Sequence, residues 1–229
     1  LTANLTSRFA FRPDARLAFA DFDATAKGET PFGMLRSDRL HVNSIHLVGR
    51  FDGNARRVTV SSADLDAREA RLHLAGQGDL IYGADGALAQ IKTGFNASRI
   101  NVNVPGLFER ATAFDALAFA GMYDMAARKL DVVNASLTGP SFKLETVGAV
   151  TFADNAAPGL ALTGTLGQMP TRMVMNYWPL PIAPGARSWV AGNIFAGTIG
   201  PANFVLNMAP GVLDRPVLPA DALKLTFAL

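Results

Sequence analysis

The chain has no cysteine, and histidine and tryptophan are scarce, with three and two residues in 229. Without cysteine there is no disulfide, no thiolate nucleophile and no thiolate-held metal. That lack is common to cytosolic proteins and to disulfide-free proteins of oxidising compartments, so it does not assign a compartment. No stretch approaches the roughly 18 consecutive apolar residues of a membrane-spanning helix. Charged residues make up only 17% of the chain, and the 21 Lys and Arg against 19 Asp and Glu are scattered without clusters or interleaved aromatics. A nucleic-acid surface is therefore not expected. No Gly-x-Ser-x-Gly elbow, Walker-type loop or His-Glu-x-x-His motif occurs, and Gly76-Gln77-Gly78 reads as a bend in a strand. His41 and His46 are five apart, which on one continuous strand sends them to opposite faces. Solvated or locally bonded histidines are expected, with no metal, no cofactor and no catalytic site.

What is present is apolar residue in quantity: 49% of the chain is hydrophobic, enough to bury a substantial core. Most of it alternates with period two, which places apolar side chains on one face of a sheet and polar ones on the other. Leu5, Phe9 and Phe11 alternate with Thr6, Arg8 and Arg12, and Pro13-Asp14 turns the chain into Leu17 and Phe19. Ile45, Leu47 and Phe51 alternate with His46, Val48 and Arg50 before a turn at Asp52-Gly53-Asn54, where Gly and Asn tolerate positive φ. A phase change at Ser61-Ser62 predicts a β-bulge. Leu72 and Leu74 follow, opposite Arg71 and His73, and a further turn is expected at Asp85-Gly86. Ile91 and Phe95, Leu117 and Phe119, Phe142 and Leu144, and finally Leu225 and Phe227 continue the apolar face. Roughly a dozen to sixteen strands are expected.

The chain also repeats itself. Shifted by 72 positions, Gly49 to Gly76 lies over Gly121 to Gly148 without a gap, with nine identities: Gly49/Gly121, Asp52/Asp124, Ala55/Ala127, Arg56/Arg128, Val60/Val132, Ala63/Ala135, Leu65/Leu137, Leu72/Leu144 and Gly76/Gly148. A hairpin module used twice predicts a fold that grows by stacking and offers a long surface in place of a closed pocket. Asp52 and Asp124 recur just before turn residues, so an Asx-type turn explains them better than a pair of catalytic acids.

Residues 169–197 break the pattern. Met173, Val174, Tyr177 and Trp178 share one face of a short helix that Thr171 is placed to cap and Pro179 to end. Pro184 suits the first turn of a second helix through Arg187 and Trp189, with Gly192 as its stop. The expected organisation is mainly β: an extended, twisted antiparallel sheet curled into an open groove. Repeated hairpins fill residues 1–168, a two-helix insert spans 169–197, and 198–229 return to the sheet. The insert must dock on the sheet as a lid over an end or an edge. The chain starts at Leu1 with no initiator Met and stops at Leu229 inside an expected strand, which reads as an excerpt of something longer.

Tyr177-Trp178-Pro179, then Ala183-Pro184-Gly185-Ala186-Arg187-Ser188-Trp189-Val190, then Asn193-Ile194 and Gly197, carry a resemblance over about thirty residues. This segment resembles the YhdP-type branch of the AsmA-like proteins. The resemblance implies the periplasmic part of a Gram-negative inner-membrane protein, held by an anchor that lies outside this chain. It also implies an apolar β-groove that shields phospholipid on its way between the inner and outer membranes. Other envelope proteins would be its partners. Some fifteen strands at about 4.8 Å spacing would make a groove of roughly 70 Å. Within the insert, Arg187 has two readings, a contact to lipid phosphate or a stack on Trp189. Trp178 and Trp189 have two as well, a membrane interface or an anchor on the sheet.

The same alternation also fits a closed sandwich acting as a scaffold or interaction module that binds partners on its polar side or open edges. A carbohydrate-active or adhesin-like protein is disfavoured, since clusters of aromatics with carboxylates are not evident.

Overall fold

The computed structural model describes residues 2–31, 39–180, 182, 184–215, 218–219 and 221–227. Its centre is one antiparallel sheet of twelve strands: β1 (Thr2–Phe11), β2 (Leu17–Pro31), β3 (Arg39–Asp52), β4 (Arg57–Ala67), β5 (Ala70–Tyr82), β6 (Leu88–Val102), β7 (Thr112–Asp124), β8 (Lys129–Gly139), β9 (Phe142–Thr151), β10 (Gly159–Leu166), β13 (Ala202–Met208) and β14 (Leu223–Phe227). Each strand pairs with the next in the chain, and only the β10–β13 step is interrupted, by the helical insert. The sheet curls but does not close, because β1 and β14 remain its two edges. Between them lies a width of about 50 Å at the usual strand spacing.

The insert comprises β11 (Met169–Pro170), α1 (Thr171–Tyr177), α2 (Pro184–Asn193) and β12 (Thr198–Ile199). β11 and β12 pair with each other and close its base. Pro184 does open α2, whereas Gly192 does not stop it, since the helix runs one residue further. Thr171 is not the cap of α1: it is the first helical residue, buried, with its hydroxyl turned to the carbonyl of Ala196. Trp178 is extended, as a residue before proline must be, and so ends α1.

The 72-residue repeat survives at atomic detail. The register shifts between Val60 and Ala63 in β4 and between Val132 and Ala135 in β8, so the bulge foreseen at Ser61-Ser62 occurs twice. Asp52 accepts hydrogen bonds from the N–H groups of Asn54 and Ala55, and Asp124 accepts one from Ala127. The positive φ in these turns falls on Arg56 (52°) and Arg128 (50°), not on Gly53 or Asn54. Gly53 is required for another reason, since a Cβ there would lie 1.9 Å from the carbonyl oxygen of Leu17. The Asp85-Gly86 turn forms as expected, with Gly86 at φ 79°.

Two face assignments change. Phe19 sits on the polar side, paired with Ala10 and Asp52, its ring under the guanidinium groups of Arg50 at 4.4 Å and Arg8 at 5.9 Å. An extra residue in β2, opposite the Ala10/Phe11 step, separates it from Leu17, which pairs with Phe11. A second shift between Val42 and Ser44 gathers Leu40, Val42 and Ile45 into one apolar cluster. His41 and His46 therefore share the polar face, bonded to Glu69 and Asp23 respectively.

Candidate functional site: the apolar face and its cap

Cross-strand partners share a face, so the register reads out the apolar surface row by row. Leu5, Ala24, Leu47, Ala63, Leu74, Ala97, Leu117, Leu137, Leu144, Leu166, Ala202 and Phe227 stand side by side across all twelve strands. The row contains no polar residue. A neighbouring row carries Phe22, Gly49, Val60, Gly76, Phe95, Phe119, Ala135, Gly164, Phe204 and Leu225, interrupted by Ser7 at its start and by Thr146, with Phe95 stacked on Phe119 at 4.8 Å. Phe9 and Phe51 lie in a third row, and Phe9 meets Phe11 edge to face. Ile45 stands with Leu65 and Leu72, and Ile91 stands between Leu80 and Tyr123. The side chain of Phe227 and residue Ala183 lie outside what the structure describes.

Every lining residue expected from the sequence therefore falls on this face except Phe19, with Phe227 placed there by its backbone pairing alone. Phe22, Leu137, Leu166, Phe204 and Leu206 also belong to it. Phe22 was obscured by its carboxylate neighbours Asp21 and Asp23, although the run Ala20, Phe22, Ala24, Ala26 alternates in the right phase.

No second sheet layer covers this face among the described residues, where no large side chain is fully buried. Its cover is local. Tyr177 of α1 stacks on Phe142 at 4.7 Å and lies 5.6 Å from Phe114, joining the cluster around Ala97, Ile100 and Phe114 that also holds Leu72, Leu74 and Leu117. Burial holds the Tyr177 phenol above its ordinary pKa, with Asp115 adding to the effect and the Ser141 N–H opposing it. The insert is tied to the β6–β7 connection and the start of β7 by Leu180 N–H to the Leu107 carbonyl (2.8 Å), by Thr112 Oγ1 to the Asn176 carbonyl (3.1 Å), and by Arg110 to the Asn176 side chain. It is thus a lid over one end of the sheet.

Trp189 does not anchor that lid on the sheet, whereas Trp178 is half-buried. Trp178 Nε1 donates to the Ile182 carbonyl within the insert at 2.6 Å, and Trp189 is 60% exposed. Arg187 does not stack on Trp189; its Nη2 lies 2.8 Å from Glu109 Oε1, while its Nε has no partner. Pro179 follows α1 after the single extended residue Trp178, and its carbonyl accepts the Ile182 N–H.

The opposite face is a ladder of charge pairs: Arg8–Asp21–Arg50, Arg57–Asp79, Asp64 with His73 and Arg99, and Lys143–Glu145. Its centre holds a recess of about 610 Å³ whose floor of Ala75, Gly94, Ala118 and Ala120 is rimmed by Gln77, Asn96 and Asn134. Compared with family models, with curated proteins and with solved structures, the chain matches none of them.

Proposed function

We propose that this chain is a non-enzymatic lipid-handling segment of a bacterial envelope protein, whose apolar face shields phospholipid acyl chains during transport between the inner and outer membranes. The observation that carries this reading is the unbroken apolar row across twelve strands, without a second layer over it among the described residues. Acyl chains ask for a continuous dry track and few directional groups, since each buried CH₂ contributes about 0.8 kcal/mol. The periplasmic location and the membrane anchor come from the resemblance of residues 177–197 to the AsmA-like proteins, and belong to the proposal.

The test is native mass spectrometry of protein purified from a Gram-negative host, with phospholipid expected to co-purify. Phe9 and Phe11 are 58% and 61% exposed, so replacing both with Glu does not hollow out a core. Each ring is worth about 1.5–3 kcal/mol of burial against hydrocarbon, so the Phe9→Glu/Phe11→Glu pair should lower bound lipid at least tenfold. Thr6→Glu/Arg8→Glu on the other side should not. Equal losses from both pairs, or lipid-free wild-type protein, would reject the reading.

The recess on the polar side favours a second reading, an interaction module whose partner seats on small residues between amides. Ala118→Arg fills that recess: loss of a protein partner with lipid loading intact would support the module, and the reverse would support the lipid track.

A further inference from the structure

Three arginines meet at the hairpin end of the sheet, opposite the end the insert covers. The β1–β2 turn supplies Arg12 and Arg16, and the β3–β4 turn supplies Arg56. Together with Leu17, Gly53 and Asn54 they line a recess of about 280 Å³, just below the roughly 300–1,000 Å³ typical of sites for drug-sized ligands. The two turns are locked side by side. Gly53 N–H donates to the Ala18 carbonyl at 2.8 Å, Arg12 N–H donates to the Arg16 carbonyl at 2.8 Å, and Gly53 has no Cβ to hold the Leu17 carbonyl away.

The cations in this recess are poorly compensated. Arg12 Nε is buried without a hydrogen-bond partner, and Arg56 faces the ring of Tyr82 at 5.1 Å with no carboxylate paired to it among the described residues. The nearby acids compensate these charges only in part: Asp52, whose carboxyl feels the charge of Arg12, spends its hydrogen bonds on the N–H groups of Asn54 and Ala55, and Asp14 accepts from Arg16 N–H with Arg16 Nε at a loose 3.7 Å.

The second copy of the module is the internal control. Arg128 has the same left-handed backbone as Arg56, and its carbonyl accepts the Phe152 N–H as that of Arg56 accepts the Leu80 N–H. Yet Arg128 is neutralised by Asp154 at 2.7 Å, where the first module has Tyr82. The turn beside it, residues 83–87, is Gly-Ala-Asp-Gly-Ala and contributes no arginine. The backbone of the repeat thus tolerates a compensated arginine, and the first module lacks that compensation while adding two more guanidinium groups.

We infer that Arg12, Arg16 and Arg56 form a binding site for a phosphate group, free or borne by a lipid headgroup. Guanidinium forks match phosphate oxygens bidentately, and an anion between three like charges relieves their repulsion. The site stands apart from the acyl-chain reading, because inorganic phosphate carries no hydrocarbon and binds whether or not the apolar face takes lipid.

The experiment is ¹⁵N NMR of the arginine Nε–H signals during titration with inorganic phosphate and, separately, with dihexanoyl phosphatidylglycerol below its micelle concentration. Saturable shifts are expected for Arg12, Arg16 and Arg56 and not for Arg128. Arg12→Gln and Arg56→Gln should each weaken binding about tenfold or more, and Arg128→Gln should leave it unchanged. Tyr82→Asp, which installs the carboxylate of the second module, should abolish binding while circular dichroism shows the fold retained. Equal affinity for the two probes assigns a free anion, and tighter lipid binding assigns a headgroup. The inference is overturned if neither probe moves these signals, or if Arg128→Gln weakens binding as much as Arg56→Gln.

Discussion

Gly49 and Gly121 show why the repeat keeps some residues and not others. A Cβ at Gly49 would lie 2.5 Å from the Thr59 carbonyl and 2.4 Å from the Phe22 ring; at Gly121 it would lie 2.6 Å from the Asp131 carbonyl and 2.8 Å from the Phe119 ring. Each glycine lets the bulged partner strand and an aromatic ring close over it. Gly121→Ala should therefore destabilise the protein by about 2 kcal/mol, as overpacking does, while Gly185→Ala, in open space on α2, should not; chemical denaturation would measure both. Asp52 and Asp124 persist for their turns. Hydrogen bonds from Ala55 and Asn54 hold the Asp52 carboxyl below its ordinary pKa, and those from Ala127 and Gln90 do the same for Asp124. A carboxylate depressed in the folded state stabilises it above the unfolded value of about 3.9 and loses that contribution as pH falls through the folded value. The thermal midpoint should hold from neutrality to about pH 5 and drop below pH 4. In an Asp52→Asn/Asp124→Asn variant that drop should be shallower, and calorimetry across this range decides it. Residue identity alone exposed these turns, but not Phe19: alternation put it with Leu17, and only the irregular pairing beside Ala10 sends it beneath Arg50.

At the scale of elements, the strands were legible because alternation and turn residues act locally, and both helices were legible because Pro179 closes off the first and Pro184 opens the second. The cap of α1 was not, since the hydroxyl of Thr171 answers to a carbonyl twenty-five residues away. The docking face of α1 was legible, because Tyr177 belongs to the apolar stripe Met173, Val174, Tyr177 and Trp178. What alternation and spacing did not single out is the stacking contact of Tyr177, which fits over Gly139 with its hydroxyl 3.0 Å from where a Cβ would sit. Tyr177→Ala should thus free the lid and lower stability by about 3 kcal/mol, whereas Trp189→Ser, at an exposed position, should leave the melting midpoint within error. Limited proteolysis separates these outcomes more sharply than a melt. Cleavage within residues 178–184 should accelerate many-fold in Tyr177→Ala and hardly at all in Trp189→Ser. Similar acceleration in both would mean that α2 fastens the insert as much as α1.

The whole molecule is a one-dimensional stack: each strand touches its sequence neighbours, and no second layer closes over the sheet among the described residues. In such an array stability is close to a sum of neighbour terms, and opening proceeds from the ends. β1 bonds on one side only and is exposed along almost its full length, and β14 also pairs on one side only. β6, β7 and β8 bond on both sides and lie beneath the aromatic cluster that holds the lid. Hydrogen exchange should therefore be fastest in β1 and β14, slow progressively inward, and be slowest across β6 to β8. Tyr177→Ala should raise exchange in β6 to β9 and leave β1 to β3 as they were, because a neighbour-coupled array confines the loss to the strands the lid touches. An all-or-none fold would instead show one common rate for all twelve strands, shifted uniformly by the substitution. The distinction bears on function, since a sheet that opens strand by strand can loosen at an edge to admit a lipid chain while its centre keeps the apolar row in register.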